Sequence, residues 1–155
     1  MTWTVLDPTP VGPLHLTALD GALTGLRFGS GPGVGERADD DPVLRLAAEQ
    51  LAAYFAGSLR SFALPLAPAG TAFQLAVWEQ LRLIPYGSTV SYGELAGRLG
   101  APNASRAVGL ANGRNPIAIV VPCHRVIGAD GSLTGFGGGM AAKRTLLDLE
   151  AGTLF

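Results

Sequence analysis

Cysteine is almost absent: a single residue, Cys123, in a chain of 155. Without a second thiol there is no internal disulfide, and with only two histidines the chain lacks the several Cys and His ligands of a tetrahedral zinc site. The thiol is then either a small buried filler or a nucleophile. Charge is scarce as well. Asp, Glu, Lys and Arg make up 15% of the chain and hydrophobic residues 48%, which excludes a disordered chain and points to a globular one. No apolar run approaches the ~20 residues of a membrane helix, and the start, Met1 to Val5, has no basic region leading into an apolar core. A soluble, cytoplasmic protein with no membrane contact is expected, in a compartment reducing enough to keep the thiol free.

What is present falls into two parts. Thr2 to Leu6, Leu14 to Leu19 and Ala22 to Phe28 read as strands of a meander, with Asp20-Gly21 as a tight hairpin turn. Gly29 to Asp40 reads as a flexible glycine-rich surface loop without the Lys-Ser/Thr ending of a phosphate loop. Asp41-Pro42 then starts a helix whose Leu44, Ala47, Leu51, Tyr54 and Phe55 recur at helical spacing, placed to cover the sheet. Ser61 to Leu66 offers a further edge strand, and Pro65 to Gly70 a linker. The expectation is an α+β protein: residues 1–68 a small N-terminal β-sheet domain with a covering helix, residues 69–155 a mainly helical domain.

That second part opens with the capping box Thr71-Ala-Phe-Gln74 and a helix with Phe73, Val77, Leu81 and Ile84 on one face, stopped by Pro85 and Gly87. A second capping box, Ser91-Tyr-Gly-Glu94, opens a helix through Leu99; Gly100 to Pro102 break it, and Asn103 is placed to cap another from Ala104 to about Asn112. The pair is a helix-turn-helix candidate. Its second helix carries little bulk around Arg106: Ala104, Ser105, Ala107, Gly109 and Ala111. Thinness of that kind suits close helix packing or entry into a narrow groove. Net charge is −1, yet Arg98, Arg106, Arg114 and Arg125 stand between Gly97 and Arg125 without any Asp or Glu, a stripe that fits phosphate binding or a solvated face. Trp3, Phe55, Phe73 and Trp78 read as core.

The thiol itself lies in Pro122-Cys-His-Arg-Val126, behind the apolar run Ile117 to Val121. His124 is a candidate base or proton relay, and Arg125 adds charge that favours a thiolate over a free thiol of pKa about 8.5. Pro122 is expected to end an apolar strand at the thiol.

These residues resemble the O6-alkylguanine-DNA alkyltransferases, also called methylated-DNA-protein-cysteine methyltransferases. The resemblance covers Thr71 to Ala151 closely. It rests on Asn115-Pro116, Ile119 to Val126, the glycine-rich turn Thr134 to Gly139 and a last helix ending in Leu149-Glu150; the N-terminal third resembles the family's variable sheet domain more weakly. The resemblance implies direct-reversal repair, in which an alkyl group passes irreversibly from O6 of guanine, with O4-alkylthymine as a further candidate, to the protein's own Cys123. It implies that His124 takes the thiol proton through a water and that Glu150 orients and stabilises His124. Tyr92 would hydrogen-bond the departing base, and Asn115 would hold the turn before the active strand and bond with the His-Glu end of the relay. Arg106 would fill the gap left by a flipped nucleotide while its helix docks in the minor groove, with Arg98 and Arg114 on phosphates. Val126, Phe136, Gly137 and Gly138 would frame the base. Phe136 stands where the family commonly has tyrosine and Gly137 where some members have serine, which bears on substrate range. Some members carry zinc in the N-terminal domain; with His15 the sole candidate ligand here, no metal and no cofactor is expected. The implied partner is double-stranded DNA containing O6-alkylguanine, and the implied state a monomer. A damage-binding module that lacks the acceptor thiol and a Cys-His-Glu hydrolase are the competing classes; Cys123 weighs against the first, and the thin helix around Arg106 against the second.

Overall fold

The computed structural model describes residues 1–133 and 135–152, so Thr134, where the glycine-rich turn begins, lies outside the described residues. The chain divides into two compact units, Met1–Pro68 and Ala69–Phe155.

In the first unit, β1 (Thr2–Leu6), β2 (Leu14–Leu19) and β3 (Ala22–Phe28) form an antiparallel meander. Asp20 and Gly21 join β2 to β3 with φ of 51° and 77°, the left-handed pair a two-residue hairpin needs. Leu14, Leu16, Leu23 and Leu26 are buried with Leu44, Ala47, Leu51 and Tyr54 of α1 (Pro42–Phe55). Asp41 caps that helix by accepting from the Val43 amide at 3.1 Å. The loop of residues 29–40 is less irregular than its composition suggests. Glu36–Arg37 forms β4, parallel to β1, giving the sheet order β3-β2-β1-β4. Glycine serves close approach here: a Cβ on Gly33 would meet the Trp3 ring at 2.5 Å. Ser61 to Leu66 does not form the expected strand. Only Leu66 bridges to Leu23, because the Leu23 amide and carbonyl are taken by Pro65 and Ala67 and the residues before them pair with side chains such as Gln50.

The second unit contains α2 (Ala72–Arg82), the short strand β5 (Val90–Ser91), α3 (Tyr92–Arg98), α4 (Ser105–Gly113), β6 (Val126–Ile127) and α5 (Met140–Ala151). Both expected capping boxes form, at Thr71/Gln74 and Ser91/Glu94. On α2 the buried face runs through Val77, Trp78 and Leu81, while Phe73, expected in the core, is 40% exposed. Trp78 takes the inner position because its Nε1 donates to the Ala111 carbonyl at 2.9 Å, tying α2 to α4. Asn103 does not cap α4; the helix begins one residue later, at Ser105, with Ala104 at the cap and no side-chain bond there. The largest difference lies before the thiol. Ile117 to Val121 is buried but is not a strand. Its amides close tight local turns, Val120 to Ala118 at 2.8 Å and Cys123 to Val121 at 2.8 Å, and Ile119 adopts φ of 70°. Five apolar residues announce burial, and burial alone does not choose between strand and turn.

Candidate active site

Cys123, His124 and Arg125 form one 3-10 turn, which β6 follows directly. β6 pairs with β5 in parallel, Val90 opposite Val126. The turn before the thiol is held by Asn115, whose Nδ2 donates to the Val121 carbonyl at 2.7 Å and whose Oδ1 accepts from the Ile117 amide at 3.0 Å. Asn112, at the end of α4, donates to the Cys123 carbonyl at 3.4 Å. Asn115 also favours ionisation of the Cys123 thiol. Its side-chain bonds among the described residues thus go to the turn, and not to the His-Glu end expected for it.

The face of α5 supplies the charges. Glu150 Oε2 lies 2.7 Å from His124 Nε2, with the histidine side chain fully buried. Arg125 donates to the same carboxylate from Nε at 2.8 Å and from Nη2 at 3.0 Å. Its Nη1 donates to the Ile84 carbonyl at 2.7 Å, and its guanidinium lies 5.7 Å from the Tyr86 ring centre. Arg125 is therefore a buried member of the carboxylate cluster. It does not extend the basic stripe, and its charge is directed to Glu150 and away from the role of thiolate partner expected for it.

Burial is the main influence on both reacting groups. It pushes the Cys123 thiol above its ordinary value, opposed by the Asn115 hydrogen bond and the charge of Lys143. It pushes His124 below its ordinary value, opposed by Glu150. The imidazole is thus neutral at rest and able to accept a proton, and the thiol needs a base. With Nε2 engaged by Glu150, the nitrogen left for that proton is Nδ1, which has no hydrogen-bond partner among the described residues.

Sequence reasoning missed two contributors. Lys143 is fully buried and donates from Nζ to the Val126 carbonyl at 2.6 Å. Asn112 is the other. The seven-residue spacing of Lys143 and Glu150 on one helix was the available signal for the lysine, since such residues share a face.

The other candidates lie around this cluster. Tyr92 opens α3 half-buried, its ring beside Gly109, where an added Cβ would stand 3.6 Å away. That is an ordinary contact, so close packing does not demand the glycine. Val108, Ala111 and Asn112 form the inner face of α4, while Arg106, Ala107, Leu110 and Gly113 are exposed on the outer face, with Ala104 and Ser105 half-buried at its start. Arg98, Arg106 and Arg114 are all exposed, and no bond ties them to the Cys123 cluster among the described residues. Phe136 is half-buried on the loop into α5; Gly137 and Gly138 form a turn there, closed by the Gly139 amide on the Phe136 carbonyl at 2.9 Å. Val126 is buried in β6. Among the described residues no cluster of three His, Cys, Asp or Glu could hold a metal, and no helix is long and apolar enough to cross a membrane.

Two family profiles match the chain: 6-O-methylguanine DNA methyltransferase, ribonuclease-like domain, over residues 1–68, and 6-O-methylguanine DNA methyltransferase, DNA binding domain, over residues 72–152. The methylated-DNA–protein-cysteine methyltransferase of Mycobacterium tuberculosis is 54% identical over 145 residues, covering 92% of this chain and 88% of that protein. The protein of the same name from Methanosarcina acetivorans is 52% identical over 146 residues, covering 92% and 94%. Among solved structures, Mycobacterium tuberculosis OGT in complex with DNA matches with a TM-score of 0.90 at 51% identity, over 99% of this chain and 94% of the other.

Proposed function

The chain belongs to the 6-O-methylguanine DNA methyltransferase family, and from that premise we propose how its own residues carry out the repair. It is a DNA-binding repair methyltransferase of the methylated-DNA–protein-cysteine type. The observation that carries the assignment of roles is the buried 2.7 Å contact of His124 with Glu150, on the turn that bears the sole cysteine.

In our reading the substrate is an O6-alkylguanine in double-stranded DNA, and Cys123 is the acceptor. The thiol proton passes through a water to His124 Nδ1, and Glu150 stabilises the imidazolium that results. The sulfur then attacks the alkyl carbon; the S–C bond forms as the C–O6 bond breaks, and the purine leaves with the proton restored to it. Tyr92 hydrogen-bonds the leaving base, while Asn115 and Asn112 fix the turn and the sulfur. A thioether is a poor leaving group, so each molecule acts once.

A base stacked in a duplex hides its O6, so the nucleotide must be extruded at a cost of a few kcal/mol. Arg106, on the exposed face of α4, supports the reading that it takes the place of the extruded base. The small residues Ala104, Ser105, Ala107 and Gly109 suit approach through the minor groove. Arg98 and Arg114 are placed for phosphates, and Val126, Phe136, Gly137 and Gly138 for the walls of the base pocket. On this reading residues 69–155 hold all the chemistry and residues 1–68 form a separate sheet domain. A monomer suffices, no cofactor is needed, and a free acceptor thiol suits the cytoplasm.

The test is incubation of the purified protein with a duplex containing one O6-methylguanine, followed by intact mass and peptide mapping. We expect one added methylene per chain, on the peptide containing Cys123, with guanine restored. Tight binding without a mass change would replace this reading with a damage-binding module.

A further inference from the structure

Lys143 has no part in the scheme above, yet its placement is specific. Lysine is rarely fully buried unless it is paired, and here the side chain shows 0% exposure, with Nζ 2.6 Å from the Val126 carbonyl. Glu150 stands seven residues further along α5, on the same face, and that face packs on the 3-10 turn Cys123–Arg125. One helix thus brings a cation to the β6 side of the turn and an anion to His124.

The arrangement bears on the charge separation that must precede transfer. Moving the proton from Cys123 to His124 creates a thiolate and an imidazolium inside the protein, where separated charge is costly. Glu150 compensates the imidazolium. Arg125 does not compensate the thiolate, since its guanidinium is committed to Glu150 and the Ile84 carbonyl. We propose that Lys143 is the counter-charge of the Cys123 thiolate, acting as a positioning residue that does for the sulfur what Glu150 does for His124. The ammonium keeps its three protons throughout. The S–H bond breaks, the proton goes to His124 and later to the purine, and Lys143 supplies only its field. The thiolate and the lysine also influence each other reciprocally: each favours the charged form of the other, against the burial that disfavours both.

This inference rests on Cys123 being the nucleophile, and its test is arranged so that it can fail separately. The rate of Cys123 alkylation by iodoacetamide is followed from pH 6 to 10 in the full-length wild type and in Lys143→Met, a probe that needs neither DNA nor an alkylated base. The variant is expected to reach the wild-type plateau at high pH, with its inflection raised by about one pH unit and hence about tenfold slower reaction near neutrality. An unmoved inflection, or a loss uniform across pH, would show that Lys143 only fills space. If Lys143→Met does not fold, the wild type decides the question. With lysine ammonium groups labelled for NMR, S-methylation of Cys123 is expected to lower the Lys143 pKa, because the thiolate that supported its charge is gone; an unchanged pKa overturns the proposal. The duplex experiment reports on repair independently: absence of methyl transfer with a shifted iodoacetamide profile would overturn the repair reading and leave the Lys143–Cys123 coupling standing.

Discussion

Arg125 grips both oxygens of Glu150, from Nε at 2.8 Å and from Nη2 at 3.0 Å, and His124 shares one of those oxygens at 2.7 Å. The buried carboxylate therefore serves both side chains at once, with the Gly87 amide 3.4 Å from Oε1. This fixes the tautomer of His124 in the resting state: Nε2 carries the hydrogen given to Glu150, and Nδ1 is left as the acceptor.

Removing Arg125 should expose that dependence. In Arg125→Met the carboxylate stays buried while losing its fixed charge partner, a change that typically costs about 3–5 kcal/mol. At about 2–4 °C per kcal/mol for chains of this size, Tm should fall by roughly 10 °C. Adding Glu150→Gln removes the stranded charge, so the double variant should recover part of the loss in a thermal melt. If the two losses simply add, Arg125 and Glu150 are not coupled as their geometry requires.

The first unit holds a second buried histidine. His15 stacks on Trp3 with ring centres 5.2 Å apart, and neither of its ring nitrogens has a hydrogen-bond partner among the described residues. Burial, and then the charge of Arg27, hold its pKa below the ordinary 6.5; burial acts on His124 in the same direction. As pH falls below 6.5 the unfolded chain binds protons that the folded one resists, so stability drops on the acid side until the depressed folded values are passed. Well above 6.5 neither group contributes a slope. His15→Phe keeps a stacked ring without the unpaired nitrogens, and should raise Tm at pH 7.5 while flattening its decline between pH 6.5 and 5. An unchanged acid slope would show that His15 is not the group that titrates there.

Much of this was legible in the sequence, and the exceptions share a cause. The strands of the meander, the Asp20-Gly21 turn, Asp41-Pro42 and both capping boxes are local signals, set by residues a few positions apart. Ile117 to Val121 failed because an apolar run reports burial and not geometry; the turns depend on Asn115 reaching forward to the Ile117 amide and the Val121 carbonyl. Phe73 and Trp78 could exchange roles on sequence alone, until the indole found the Ala111 carbonyl 33 residues away. Arg125 and Lys143 were misjudged or missed for a related reason. Cationic side chains read as surface unless a buried partner is known, and those partners lie 25 and 17 residues distant. His124 and Glu150 were named together through the family motif, not through their spacing.

Methylation of Cys123 should be felt by the fold. The residue is only 6% exposed, with its carbonyl bonded by Asn112. An added methyl group in a filled interior costs about 1–3 kcal/mol, and the thioether also gives up the thiol as a hydrogen-bond donor. A melt of the protein before and after reaction with a methylated duplex should show Tm lower by several degrees. Equal melting temperatures would mean that the site already contains space for the group.

Arg106 separates base extrusion from alkyl transfer. It lies exposed on the outer face of α4, apart from the buried cluster of Cys123, His124 and Glu150. If it replaces the extruded nucleotide in the stack, Arg106→Ala should lose much of the few kcal/mol that extrusion demands. At 1.4 kcal/mol per factor of ten, single-turnover repair of O6-methylguanine in a duplex should slow by roughly 30- to 100-fold. Reaction with free O6-benzylguanine involves no stack and should keep its rate within about twofold. Salt dependence adds a control: Arg114→Ala, which removes a phosphate contact on this reading, should weaken duplex binding and lower the slope against log salt by about one, without the selective loss of transfer. An equal slowing of Arg106→Ala on duplex and free base would place its effect on the chemistry at Cys123 and remove the case for its action in the stack.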